Sequence, residues 1–425
     1  MRILVAGAAA AIGGCATVAE PAADAAPLAY RILLSEAAPL VAEVELDKPP
    51  ARLLPARDGN AAPITGLSCD GRPLAITGNL LEVPQGCGTL RWSVRLIDLD
   101  AQGVDASVPP SGWSPQHRFW YLAERHGLLR PADLRRGGEV TVVTRWSEGS
   151  VAARTLRYPT LEEPPFYAVA GRAPSHAYEA DGVHMSVWGS PPDFTWMTDI
   201  HRHVLRAWAR WRRDVVAPGA TSPAGLDFAW LKPRPDMEPG YNASAGAHAI
   251  GAQLRLREGD PDAQSKARAV IGSSAAHEGF HSIIGTTGQG WPTWVNESLA
   301  NYFALEAARG FLAAADFAFL ERIYSDAEVT TPLLTAQADH DRGRQDEGRD
   351  VFYRRGPRFW REIQAVLTSR RNGSGRLAAL IQDSDGFRGI NLSDANAVGR
   401  FLDRHSAGRA GPIVRCHLLG AGCGH

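Results

Sequence analysis

The chain has 425 residues, with 45 basic and 46 acidic side chains and a formal net charge of −1. With 44 % apolar and 21 % charged residues it can bury a sizeable core, which excludes a disordered tail or a disulfide-dominated miniprotein and predicts about two or three domains. A charge near zero argues against a protein built to coat nucleic acid or an anionic membrane, and the positive charge is almost all Arg, with Lys only at 48, 232 and 266.

The chain starts with Met1-Arg2 and an uncharged, mostly apolar run from Ile3 to Gly14. That run is shorter than the ~20 residues a membrane span needs, and its pattern is that of a secretory signal. Ile12-Gly13-Gly14-Cys15 resembles a bacterial lipobox, whose Cys becomes the lipidated first residue of the mature chain. Ordinary cleavage after Ala23-Asp24-Ala25, or a buried strand of a cytosolic protein, are the competing readings. Residues 1–27 are thus read as signal, lipobox and tether. The expected location is outside the cytoplasm: an exported, periplasmic bacterial lipoprotein that touches the membrane only through its N-terminal lipid anchor.

From residue 28 to about 192 the signals are strand-like. Val41–Leu46 and Leu90–Leu96 alternate with a period near two, and Val140–Thr144 is β-branched throughout. Asp181-Gly182 lies between two candidate strands as a hairpin turn would. The expectation is an N-terminal β-rich, sandwich-like domain, with Glu163-Pro164-Pro165 and Pro191-Pro192 both available as its end.

The period then changes. Met197, Ile200, Val204, Trp208, Trp211 and Val215 share one helix face, Leu226–Leu231 and Ala247–Leu256 are strand candidates, and helical patterns follow. His201 and His203, two apart on that first helix, point about 200° from one another and cannot converge on one ion, so they are read as surface or half-buried. The polar run Asp339–Asp350 reads as a solvated loop.

His277-Glu278-Gly279-Phe280-His281 carries most of the chemistry. On a helix, His277 and His281 stand one above the other, so both imidazoles can reach one cation; Glu278 lies about 100° round, outside that pair but able to touch an activated water. Gln264 to Ile284 lacks Pro and Gly285 can stop the helix. An amphipathic helix with incidental histidines is the competing reading of these five residues alone. A second helix, opened by Pro292 and closed near Gly310, carries Glu297. Loop residues Thr286–Gly290 allow it to return antiparallel over the His pair. Two imidazoles and a carboxylate with an open fourth position suit catalytic zinc.

Here the sequence resembles the gluzincin metallopeptidases, and within them the aminopeptidase N and glycyl aminopeptidase families. Trp294, Asn296, Glu297, Ala300 and Tyr302 match their second motif, with Ser298 in place of the usual Gly and a spacer after His281 shorter than is typical of the aminopeptidase N family. Tyr353-Arg354-Arg355-Gly356 resembles their Tyr-x-Lys-Gly segment. The resemblance implies an α+β chain whose β-rich domain is followed by a thermolysin-like zinc catalytic domain (193–310) and a helical C-terminal part (311–425). It implies one Zn²⁺ per chain on His277, His281 and Glu297, with Glu278 as general base and acid and Tyr353 polarising the scissile carbonyl. A helix-packing role for Tyr353 competes with this. Asn301, one turn beyond Glu297, is read either as orienting a ligand or as a polar side chain facing water. The aminopeptidase N family binds the substrate's amine through the Glu of a Gly-x-Met-Glu-Asn strand, whereas the corresponding Gly240–Gly246 holds no acid and Glu238 precedes Pro239. Exo- and endopeptidase action therefore both stay open.

The cysteines at 15, 69, 87, 416 and 423 divide into one for lipidation and two candidate disulfides. Cys69–Cys87 closes a loop of about 17 residues, worth roughly 3 kcal/mol. Cys416–Cys423 closes the tail, where a metal site with His417 and His425 competes. The functional expectation is a zinc metallopeptidase acting on peptides or proteins. Its alternative is a non-catalytic exported lipoprotein that keeps the fold as a binding module. No sequence feature sets an oligomeric state.

Overall fold

The computed structural model describes residues 28–423 except 57–62, 79, 132–136, 161–162, 217–223, 257–261, 285–290, 325–328, 368–375, 383–386 and 388. Cys15, the lipobox, Gly285, Thr286–Gly290 and His425 lie outside the described residues.

The architecture is α+β. The alternating segment Val41–Asp47 pairs with Leu28–Ser35 on one side and Thr89–Arg95 on the other, within a seven-stranded mixed sheet whose far edge is Val151–Tyr158. A four-stranded sheet and a three-stranded sheet cover it, and Trp92, Trp120, Leu53 and Leu129 from the three sheets meet in one core, as the sandwich-like expectation requires. Cys69 and Cys87 are disulfide-bonded at the end of this domain. Beside them the Asp70 carboxylate accepts the backbone N–H groups of Gly88 and Thr89, which hold its pKa below the usual value.

One ion pair ties these sheets together. Glu124 and Arg130 are both fully buried and bonded to each other. The carboxylate also accepts the Phe166 N–H at 2.6 Å, and the guanidinium donates to the Pro159 carbonyl and lies over the Tyr158 ring at 4.4 Å. A buried charge is tolerated only with an opposite charge and hydrogen-bond partners close around it.

The second core begins earlier than the proline boundary suggested. His176–Ala180 and Val183–Trp188 form the expected hairpin, with Asp181 and Gly182 both at positive φ as a tight two-residue turn requires. This hairpin does not join the N-terminal sheets. Val183–Trp188 runs parallel to Gly225–Trp230 in a five-stranded sheet, continued by Ala249–Arg255 and ending at the edge strand Gly240–Ala245. The reason is side-chain destination: Val183, Met185 and Val187 enter the same core as the helix Met197–Asp214. The two parts are bolted together by Asp227, which receives the Trp188 indole N–H and the Arg154 guanidinium at 2.9 and 2.7 Å.

Two further expectations are corrected. His201 and His203 are buried: His201 accepts the Trp230 indole N–H at 3.0 Å, and His203 stacks on Phe311. The run Asp339–Asp350 is mostly helical, divided between Leu333–Asp341 and Gln345–Leu367. High charge marks a solvated face, which a helix provides as readily as a loop. In the tail Cys416 and Cys423 are bonded to each other, and His417 is buried against Glu362 at 3.1 Å, so among the described residues of the tail there is no metal site.

Replacing Glu124 with Gln should strand the Arg130 charge and destabilise the fold by about 3–5 kcal/mol, measured by urea unfolding. A loss of about 1 kcal/mol or less would contradict this account of the domain's centre.

Candidate metal centre and active-site cleft

The site is built from three helices. Ala263–Ile284 carries His277, Glu278 and His281; Thr293–Arg309 carries Glu297; Gln345–Leu367 carries Tyr353. The first lies against Met197–Asp214, where the Trp208 indole donates to Ser282 at 2.8 Å. Phe280, between the two histidines, stacks on Phe303 of the Glu297 helix with ring centroids 4.7 Å apart, so the motif's apolar residue fixes the second helix against the first. The N-terminal turn of the Glu297 helix follows Pro292, and its Trp294 N–H is taken by the Gln337 side chain at 2.8 Å.

Contact between the Glu297 and Tyr353 helices depends on an absent side chain. A Cβ on Gly356 would sit 2.1 Å from the Ser298 Cβ. Ser298, which stands where the resembling families carry Gly, is accommodated because Gly356 faces it and the Trp360 indole donates to its hydroxyl at 2.7 Å. The residue after Gly356, Pro357, lies inside the helix and has no N–H to give the Tyr353 carbonyl one turn back. Asn301 supplies a donor instead, its Nδ2 lying 2.6 Å from that carbonyl. Asn301 is therefore buried and holds Tyr353, rather than a metal ligand or the surface.

These contacts converge on one carboxylate oxygen. Glu297 Oε2 lies 3.3 Å from His277 Nε2, 3.5 Å from His281 Nε2 and 2.8 Å from the Tyr353 hydroxyl, while the two Nε2 atoms are 3.0 Å apart. Burial opposes charge on Glu297, yet the two imidazoles outweigh it and hold the carboxyl well below the usual range. Burial likewise opposes charge on His281, but Glu297, helped by Glu278, raises its pKa. Three tetrahedral ligands at the zinc distance of about 2.1 Å stand about 3.4 Å from one another, so this nearly regular triangle of two nitrogens and an oxygen fits zinc.

Glu278 and Tyr353 line a cleft of ≈ 260 Å³ beside the triangle, with Asn242 and Ala243 of the edge strand opposite. The structure thus brings His277, His281, Glu297, Glu278 and Tyr353 to one place. No family model matches the chain, and no curated protein matches it in sequence. Solved structures do match in shape. An aminopeptidase N family protein from Idiomarina loihiensis superposes over 84 % of this chain and 69 % of its own, with a TM-score of 0.56 at 13 % identity. Aminopeptidase A from Legionella pneumophila, in complex with aspartic acid, gives 0.56 at 13 % identity over 92 % of this chain and 49 % of its own. A variant of the M1 zinc metallopeptidase from Deinococcus radiodurans gives 0.50 at 14 % identity over 92 % and 93 %. The fold is that of the M1 zinc metallopeptidases.

Within that fold, sequence reasoning missed the two contacts that seat Tyr353. Pro357 four residues after Tyr353 was a legible signal of a carbonyl short of its helical donor; that Asn301 answers it depends on how two helices pack.

Gly356→Ala should cost about 1–3 kcal/mol by overpacking. Combining it with Ser298→Gly should cost less than the sum of the two single changes in a denaturant double-mutant cycle. Strict additivity would contradict direct helix contact at this point.

Proposed function

We propose that the protein is a zinc-dependent metallopeptidase with one zinc per chain held by His277, His281 and Glu297. The observation that carries this reading is the placement of Glu278 and Tyr353 in one cleft beside a zinc-sized donor triangle. Bound there, zinc would polarise the scissile carbonyl and lower the pKa of the attacking water to about 7. Glu278 would serve as the base that takes a proton from the attacking water and as the acid that returns it to the leaving amine. Tyr353, whose hydroxyl donates to Glu297 at 2.8 Å, turns that proton towards the oxyanion of a bound substrate. Asn301 and Gly356 keep the tyrosine's helix close enough to do so.

Aminopeptidase action, which the names of the structural neighbours suggest, calls for an acid that binds a free amine. The edge strand Gly240–Ala245 offers none. Among the described lining residues the only carboxylate besides Glu278 is Asp350, exposed and 3.5 Å from Arg354. The proposed reaction is therefore peptide-bond hydrolysis, exo- or endopeptidase, in which the edge strand itself supplies no acidic anchor for a free amine. The reading includes export and lipidation at Cys15, supported by the apolar run before that residue and by two disulfides, which persist in oxidising compartments.

Glu278→Gln should lower peptide hydrolysis by about 10²–10⁴-fold with zinc content unchanged by elemental analysis, and Tyr353→Phe by about 10²–10³-fold with zinc again retained. Unchanged hydrolysis in Glu278→Gln would overturn the mechanism; full activity in Tyr353→Phe would return that residue to packing.

A further inference from the structure

A second cavity, of ≈ 470 Å³, shares no lining residue with the cleft and lies where the helix Met197–Asp214 begins. That helix starts without a side-chain cap, because Trp196 stands at its N-cap position and offers no acceptor. The N–H groups of Met197, Asp199 and Ile200 find backbone carbonyls, and among the described residues that of Thr198 finds none. Thr198 lines the cavity, so a free N–H stands there at the positive end of an 18-residue helix, a place that favours an anion. Asp199, the acid of the first turn, is exposed and outside the cavity wall.

His201 is an independent sign of a ligand. It follows Thr198 by three residues on the same helix face and lines the same cavity, yet is only 1 % exposed. Its Nε2 accepts the Trp230 indole N–H; an indole only donates, so the proton of the neutral ring sits on Nδ1. Burial, with His176 nearby, pulls the His201 pKa down to about 3 and keeps the ring neutral. Trp230 is no part of the cavity wall, and the buried Nδ1–H has no hydrogen-bond partner. Such a donor costs about 1–3 kcal/mol while it stays unpaired. The remaining wall is of two kinds. Tyr178, Phe194 and Met197 give it an apolar side, while Asp193, exposed at the rim, forms no ion pair among the described residues. Gly189 brings the rim close: it has a φ of +81°, and a Cβ there would lie 2.3 Å from the Trp230 carbonyl oxygen.

We propose that this cavity binds a free apolar α-amino acid such as leucine or phenylalanine. Its carboxylate accepts from the Thr198 N–H and from His201 Nδ1–H, its ammonium group meets Asp193, and its side chain covers Tyr178, Phe194 and Met197. A simple carboxylic acid would leave Asp193 as an unmatched like charge, and a simple amine would leave both donors unpaired, so the zwitterion alone answers all three groups. The volume is that of a small-molecule site. The proposal does not rest on the peptidase reading, since it uses no residue of the cleft.

Isothermal titration calorimetry of the full chain with L-phenylalanine, 3-phenylpropanoate and phenethylamine tests it. Phenylalanine should bind at least about tenfold more tightly than either analogue, each of which lacks one of its charges. Thr198→Glu places an acid at the helix N-terminus, which suits the helix but repels the ligand's carboxylate. It should weaken phenylalanine binding at least about tenfold with the thermal midpoint not lowered. Asp193→Asn should weaken phenylalanine binding and leave 3-phenylpropanoate bound no less tightly; if Thr198→Glu melts early, this second variant decides. Phenylalanine binding that neither variant weakens lies elsewhere on the protein and overturns the proposal. Equal affinity for the three compounds, or no binding at about 10 mM, overturns it too.

Discussion

One oxygen organises this molecule's chemistry. Glu297 Oε2 is approached by two imidazole nitrogens and a phenol, each from a side chain on another part of the helical core. A carboxylate so placed is stable only if its charge is matched, and the matching groups are those that would share a cation with it. The arrangement is therefore electrostatically self-consistent in a way that scattered histidines would not be. His277 and His281 are set by helix periodicity alone; Glu297 needs a second helix to return, and Tyr353 a third.

The two returning helices are held by small-scale steric matching. Phe280 on Phe303 settles where the second helix lies on the first. Ser298 on Gly356 settles how near the third can come, and Asn301 corrects the hydrogen-bond deficit that Pro357 leaves at Tyr353. Each contact sits within about one helical turn of a site residue, so packing and chemistry are not separable here. The N-terminal sheets contribute a rigid neighbour through the Asp227 contacts and a wall of the cleft at Ser107.

Periodicity was enough to read the histidine helix, the Glu297 helix with its Pro292 and Gly310 ends, and the strands Val41–Asp47 and Gly225–Trp230 to within a residue or two. The two disulfide pairs were also legible, because four cysteines fell into two close couples. What escaped were features decided by tertiary partners. The hairpin His176–Trp188 has strand periodicity whichever sheet receives it, and only burial of Val183, Met185 and Val187 beneath Met197–Asp214 assigns it. His201 and His203 look like surface residues because nothing local announces that Trp230 and Phe311 will cover them. The charged run at 339–350 gives composition without period, and composition does not separate a loop from a solvated helix.

The edge strand Gly240–Ala245 is where the local sequence bears most directly on the proposed substrate. It takes the last place in the five-stranded sheet and faces the cleft, yet carries Tyr241, Asn242 and Ala243 there and no carboxylate. A shared fold with aminopeptidases thus leaves substrate selection to local residues. All of it presupposes a metal between three named atoms. X-ray diffraction from crystals of the zinc-loaded protein, recorded on both sides of the zinc absorption edge, tests that most directly. The account predicts one anomalous peak within about 2.0–2.2 Å of His277 Nε2, His281 Nε2 and Glu297 Oε2. No peak there, or a peak held by other residues, would contradict it.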